Sequence, residues 1–436
     1  MRLLAAVIVL SLVARVAFID QPCRVPCRSV ADHAPIFDET YYVGAAHVIA
    51  GRAPLRGEQY GGAARGMDPN SEHPQLGKLV IAASIEALGD GPLAWRLGSI
   101  LAGTLAILGM FALVRAAGGS EGEAAVAAAL MAADNLMIVH GRIGTLDAPV
   151  LAAMVWSVAL YLRGRPVVAG VLLGIGACFK LVAPYALLGL LAFELLALVR
   201  GGSARWWARG RPAMGRLGTI GAAGTATMLA LLQALDWLAP PYDPGSRQRV
   251  GGGVLGHLAH MVSYAAHEVS PHGPRGIASY PWEWLVDFKP IVYLSVDPAE
   301  PARGLAGLHP AVHFLGAISP PILVLGLPAL VWLGWRWLRE PRGGRACEAD
   351  PSAGRWRLDA LALAWLAGTF LPFVGLSLLF QRTSYLYYMV VVMPAVYIAA
   401  ARAAVRLGSR HRRALSVWAV SVVLAAVLLY PFTPLP

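Results

Sequence analysis

Long apolar runs separated by short basic connections make up most of the chain, and two long polar stretches interrupt the rhythm. A helix needs about 20 apolar residues to cross a hydrocarbon core. Apolar runs cover Met1 to about Phe18, Leu93–Val114, Ala124–Val139, Ala148–Leu162, Val167–Phe179, Val182–Leu198 and Leu217–Leu238, then Phe314–Leu338, Leu358–Phe380, Tyr385–Val405 and Ala414–Leu429. If the shorter runs extend into their flanks, the pattern predicts an all-α polytopic membrane protein of about eleven transmembrane helices. The first run lacks a small-x-small cleavage site and Arg15 interrupts its end, so it reads as an uncleaved span rather than a signal peptide. The polar stretches, about 20–90 and about 240–310, read as long loops within one transmembrane domain covering 1–436. Inside the first, Leu76–Leu88 has apolar residues at helical spacing around Lys78 and Glu86, the pattern of an interfacial helix lying on the bilayer.

Composition strengthens this picture. The 436 residues are 57% hydrophobic and 14% charged, against about 25% charged in soluble domains. The net charge of +11 could suggest nucleic acid, but the arginines cluster in short alternate loops. Arg115, Arg163 with Arg165, the runs Arg200 to Arg216 and Arg336 to Arg357, and Arg402 to Arg413 mark the cytoplasmic side. The basic residues thus orient the chain in a cell membrane and contact headgroups, with no nucleic-acid partner. The N-terminus is then inside and both long loops are exterior. Cys23 and Cys27 flank Val25-Pro26 in the first loop, where a disulfide and two free thiols are both open; Cys178 and Cys347 stand alone.

The same map sorts the rarer residues. Every histidine except His411, and the three lysines Lys78, Lys180 and Lys289, falls on or near the exterior side. In a chain that otherwise uses arginine, such lysines suit a point charge for a phosphate. Asp38-Glu39 is an adjacent acid pair among Phe37, Tyr41 and Tyr42. Mutual repulsion raises one pKa, which suits a general base; the plain alternative is a solvated pair at a helix start. His73 and Lys78 bracket the start of the interfacial helix, where a lysine is electrostatically out of place unless an anion binds. Asp134, His140, Arg142 and Asp147 emerge together on the exterior side, with Arg142 a natural phosphate ligand. Trp282 and Trp284, taken alone, read as an interfacial aromatic anchor. Arg382, before Tyr385, Tyr387 and Tyr388, lies on the wrong side for the positive-inside rule and so points to phosphate. Asp38, Glu39, His73, His140 and Asp147 offer oxygen and nitrogen to a divalent metal, without a diagnostic spacing. No Gly-rich nucleotide loop is present, which argues against a nucleotide-sugar donor.

In order along the chain, these motifs resemble the protein O-mannosyltransferase family of GT-C glycosyltransferases. Phe37-Asp38-Glu39 with Tyr41-Tyr42 resembles its first-loop acid motif, and His73-Pro74-Gln75-Leu76-Gly77-Lys78 its His-Pro-Pro-Leu-Gly-Lys. Arg142 to Asp147, Lys180, Pro281-Trp282-Glu283-Trp284 with Lys289-Pro290, and Tyr387-Tyr388 to Pro394 resemble its later motifs. Gln75, His140-Gly141 and Lys289 depart from them, and no soluble sugar-binding module is inserted in the second loop. The resemblance implies a polyprenyl-phosphate sugar as donor substrate, Asp38 as general base, inversion at the anomeric carbon, and Glu39 and Asp147 orienting the acceptor or tuning the base. It implies Lys78, Arg142, Lys180 and Arg382 as the cations that meet the lipid phosphate. His73, Tyr41, Tyr42, Trp282, Trp284 and Tyr387 are the expected substrate contacts. The sequence leaves open whether Asp38 or Glu39 takes the proton, and whether the acceptor is a protein or, as in aminoarabinose transferases, a lipid or glycan. A transporter or flippase, the rival class, predicts internal repeats and broken spans in both halves; no clear repeat is present.

Overall fold

The computed structural model describes residues 2–23, 27–54, 60, 62–201, 206–296, 312–339, 355–408 and 410–432. The end of the second polar stretch, most of the arginine run after Arg336, and Cys347 lie outside them.

The chain is mostly helical, as its pattern predicts. Helices α1 (Arg2–Val16), α2 (Glu39–Ile49), α3 (Leu76–Leu88) and α4 (Pro92–Ala116) come first, followed by α5 (Glu121–Ala133), α6 (Asn135–His140), α7 (Asp147–Leu162), α8 (Pro166–Ala177), α9 (Tyr185–Gly201) and α10 (Trp206–Leu238). After α11 (Gly253–His267) come α12 (Pro320–Arg339), α13 (Arg355–Phe380), α14 (Met389–Val392), α15 (Pro394–Leu407) and α16 (Arg412–Leu428). The second polar stretch is not a bare loop. It carries α11, the antiparallel pair β1 (Tyr242–Asp243) with β2 (Gln248–Arg249), and β3 (Ile291–Val296), which pairs with β4 (Val312–Gly316) at the start of the next apolar run.

Among the described residues, α4, α10, α12 and α13 are long and apolar enough to cross a membrane, and the bent α14–α15 pair makes a fifth candidate. The expected count of about eleven exceeds this because several apolar runs end early or break. The run Ala124–Val139 breaks at Asp134, whose backbone is extended. Its buried carboxylate accepts the Ser319 N–H at 2.9 Å and the Tyr397 hydroxyl at 2.5 Å, ties to neighbouring elements rather than to its own helix. The run Tyr385–Val405 bends by 60° between α14 and α15, at Pro394, which lacks the N–H a continuous helix needs. Helices α7 and α8 hold 16 and 12 residues, too few for a straight span.

Packing explains where the small residues fall. Helix α8 meets α10 through Gly170 and Gly174. A Cβ on Gly170 would sit 2.6 Å from the Ile220 carbonyl oxygen, and one on Gly174 would strike the Gly224 carbonyl. This is the small-xxx-small contact that lets apolar helices approach closely. Helix α4 packs on α7, α5 and α3, and α15 on α12, α5 and α13. The predicted interfacial helix forms with the expected bounds as α3, but Gly77, Lys78, Ile81, Ala82 and Ile85 are buried against neighbours that include α2 and α4.

Candidate active site

A cavity of about 470 Å³ opens where the first polar stretch, the α8–α9 connection, the end of α11 and the segment after α13 meet. Phe37, Asp38, Thr40, Tyr41, Tyr42, His73, Lys180, Arg382 and Tyr387 line it, together with Asn70, Glu72, Tyr264, Glu268, Ile277, Tyr385 and Tyr388. Seven of the thirteen residues singled out from the sequence therefore gather around one space: Asp38, Tyr41, Tyr42, His73, Lys180, Arg382 and Tyr387.

Asp38 immediately precedes α2, and Phe37 before it adopts a positive φ of 55°. Phe37 stacks on Tyr293 at 4.1 Å and meets the edge of Tyr387 at 5.5 Å, contacts that fix the turn presenting Asp38. Burial pushes the Asp38 carboxyl up to about 7; Lys180 pulls it down, Asp147 repels it, and a hydrogen bond with Tyr42 favours the charged form. A carboxylate poised near neutrality suits a general base. Burial, followed by Lys180 and Lys78, pushes His73 down to about 3, which keeps the imidazole neutral at pH 7.

Lys180 follows α8 and donates to Asp147 Oδ1 at 2.7 Å. Its ammonium lies 5.1 Å from the Tyr387 ring centre and 5.7 Å from that of Tyr388, both within cation–π range. Burial works against its charge, but Asp147, Tyr388 and Asp38 together hold the pKa above the ordinary value. Asp147 itself is buried behind Lys180 and does not line the cavity. Arg382 donates to the Glu268 carbonyl at 3.1 Å, and among the described residues no acid lies within ion-pair distance of it.

Five expected site residues sit elsewhere, each for a visible reason. Glu39 is fully buried and binds Arg96 through both oxygens, at 2.8 and 3.0 Å, while accepting the Ile36 and Gly144 N–H groups. Lys78 pairs with Asp68 at 2.5 Å and donates to the Asn70 and His73 carbonyls. The anion that its position at a helix start calls for is thus supplied by the protein. Arg142 donates to the Ala14 and Phe18 carbonyls at 3.1 and 2.7 Å and lies 4.5 Å from the Phe432 ring centre, joining the end of α1 to the C-terminal segment. Trp284 is buried with its indole N–H on Ser279. Trp282 is exposed and stacks on Tyr280 at 4.5 Å.

Tyr385 and Tyr388 lie inside a motif the sequence had marked and Glu72 directly precedes one, whereas Tyr264, Glu268 and Ile277 gave no signal, because only the fold brings the end of α11 and the segment after it to the cavity. Of the residues expected as metal donors, no three bring ligand atoms together. Among the described residues Cys23, Cys27 and His33 do, and the two sulfurs there are joined in a disulfide.

A second cavity of about 320 Å³ is lined almost wholly by apolar groups of α3, α4, α7 and α8, among them Leu101, Leu105, Trp156 and Leu172, and by Phe179 just after α8. Phe179 is the chain neighbour of Lys180.

Residues 72–230 match the family model described as dolichyl-phosphate-mannose-protein mannosyltransferase. The polyprenol-phosphate-mannose–protein mannosyltransferase of Corynebacterium glutamicum is 24% identical over 447 residues, covering 88% of this chain and 80% of that protein. The structure of the S. cerevisiae protein O-mannosyltransferase Pmt1-Pmt2 complex bound to the sugar donor aligns with a TM-score of 0.69 at 12% identity, over 99% of this chain and 90% of that one. ArnT from Cupriavidus metallidurans bound to undecaprenyl phosphate aligns with a TM-score of 0.56 at 20% identity, over 98% of this chain and 64% of that one. Over residues 72–230 the chain is thus similar to the dolichyl-phosphate-mannose-protein mannosyltransferases, and it shares its fold with the aligned membrane glycosyltransferase structures.

Proposed function

We propose that the protein transfers mannose from a polyprenyl-phosphate carrier to the hydroxyl of a protein serine or threonine, at the exterior face of the cell membrane, within a single transmembrane domain. The observation that carries this reading is one cavity holding a carboxyl poised near neutrality, Asp38, beside two cations, Lys180 and Arg382. Asp38 takes the proton of the acceptor hydroxyl as its oxygen attacks the anomeric carbon with inversion. The bond to the lipid phosphate breaks, and Lys180 and Arg382 stabilise the negative charge left on the phosphate oxygen. Asp147 holds Lys180, and His73, Tyr41, Tyr42 and Tyr387 contact the substrates. The apolar cavity beside Phe179 suits the first isoprene units of the donor.

For the five remaining residues the proposed roles are narrower than those the family resemblance implies. Glu39, Lys78 and Arg142 hold the walls of the site, and Trp282 and Trp284 lie outside it. The distinguishing experiment measures transfer of radiolabelled mannose from polyprenyl-phosphate-mannose in membranes, comparing wild type with Asp38→Asn at equal expression. Label in the protein fraction that collapses in the variant is expected. Label in a lipid or glycan fraction instead would favour the aminoarabinose-transferase-like reading, and label that survives Asp38→Asn would remove Asp38 as the base.

A further inference from the structure

Beside the cavity, two buried polar atoms face each other without a hydrogen bond. His140 Nδ1 lies 3.6 Å from Asp147 Oδ2, and neither atom has another partner. The rest of both side chains is fixed. His140 Nε2 hydrogen-bonds to the Tyr293 hydroxyl at 2.7 Å, and the ring stacks on Tyr387 at 5.8 Å. The other oxygen of Asp147 accepts from Lys180 at 2.7 Å. Tyr293 in turn stacks on Phe37, next to Asp38. Of His140, Asp147 and Lys180, Lys180 is the one that lines the cavity.

The arrangement matters once an anion enters. A phosphate in the cavity competes with Asp147 for the Lys180 ammonium. A buried carboxylate that loses its partner is strongly disfavoured unless another donor replaces it. His140 is that donor if Tyr293 donates to Nε2 and leaves the ring proton on Nδ1. Hydrogen bonds of this kind are often long in the free protein and tighten in the complex.

We propose that His140 is a positioning residue of the donor site, holding Nδ1–H toward Asp147 and taking over that carboxylate when Lys180 turns to a phosphate. The proposal rests on the reading of the cavity as the donor-phosphate site. It assigns a task to a histidine at one of the positions where the chain departs from the family motif.

The test uses the full chain in detergent, with undecaprenyl phosphate as the probe. Its affinity is read by ligand-induced thermal shift, and KM and kcat are measured with the mannose donor. His140→Asn keeps a donor near the Nδ1 position, and His140→Gln keeps one near Nε2. His140→Gln is expected to weaken probe binding and raise the donor KM about tenfold, the scale of one hydrogen bond to a charged group, with kcat changed far less. His140→Asn recovers most of the loss. In a Lys180→Ala background, His140→Gln has no further effect on binding. Tyr293→Phe weakens binding in the same direction by a smaller factor, and serves if the His140 variants fail to fold. Equal binding in wild type and all variants, rescue by Gln instead of Asn, or additive losses with Lys180→Ala would each overturn the proposal while leaving the proposed reaction standing. Failure of the wild type to bind the probe would overturn both.

Discussion

Helix α13 joins two clusters of charge that are organised in opposite ways. Near its start, Asp359 accepts from Arg402 at 2.8 Å and from Arg336 at 2.9 Å, and Arg402 also reaches Glu123 at 2.6 Å. Each of these four charges has an opposite charge against it. About 30 Å away, by the helical rise of 1.5 Å per residue, the chain leaves α13 into Arg382, whose donor contact is a neutral carbonyl. There Asp38 is held by a tyrosine hydroxyl, and Lys180 shares an acid with a histidine. Closed pairs hold helices together; charges that face a cavity without a full complement are the ones left to meet a substrate. The same contrast recurs between neighbours in the chain. Glu39 is saturated by Arg96 and two backbone N–H groups, while Asp38 faces the cavity.

The sharpest way to break the comparison is Asp38→Asn. Transfer should fall by about 10²- to 10⁴-fold, the range of general-base catalysis, with no loss of folded protein. The pH profile gives an independent check. Below about 7 the carboxyl is mostly protonated, so wild-type kcat/KM should climb about tenfold per pH unit and level off above that point. Stability runs the other way. The native state keeps the Asp38 proton up to about 7, whereas the unfolded chain releases it near 3.8. Between those values the native state binds more protons, so this contribution to stability is lost as pH rises. Thermal unfolding at pH 8 should therefore place Asp38→Asn above wild type. A variant that is inactive and also less stable would mean that Asp38 belongs with the closed pairs.

Arg402→Ala tests the other side. It leaves Glu123 buried without its cation, which costs about 3–5 kcal/mol, and thermal unfolding should register the loss while turnover per folded molecule stays near wild type. Glu39→Gln carries the contrast to within one residue of the proposed base. It breaks a two-pronged charged contact, so a fall in melting temperature and yield is expected, with the pH profile of the surviving enzyme unshifted. A profile displaced from that of wild type would instead return Glu39 to the chemistry.

Much of this was legible in the sequence, and the misses share one cause. Residue type and order located the acid pair, Lys180, Arg382 and the tyrosines, because a membrane chain places so few such groups that each stands out against an apolar background. Partners were not legible. Nothing near Glu39 in sequence announces Arg96, Lys78 meets Asp68 only through the folded loop, and Arg142 is occupied by carbonyls in and just after α1. The fold was read by hydropathy, which registers apolar length but not a buried hydrogen bond. Asp134 looked like one polar residue at a span edge, and its bonds to Ser319 and Tyr397 broke the span. His140 was visible as a departure from the family motif, but its pairing with Tyr293 depends on a strand far along the chain.

The smallest predicted effect marks the boundary of the site. Trp282 is 42% exposed and stacks on Tyr280, and it does not line the cavity. Exposed aromatics near a membrane usually anchor the interface, with the ring at headgroup level. Trp282→Ala should therefore change mannose transfer to a short peptide acceptor by less than about twofold, in line with the small effects of surface substitutions. Repeating the assay with a folded protein acceptor sharpens the boundary, since a large acceptor extends past the cavity and a peptide need not. A loss confined to the folded acceptor would place Trp282 on a docking surface outside the chemical site. A loss above tenfold with the peptide would mean that the acceptor path runs over Trp282, and the line drawn between the open cavity and the surrounding structure would have to move outward to include it.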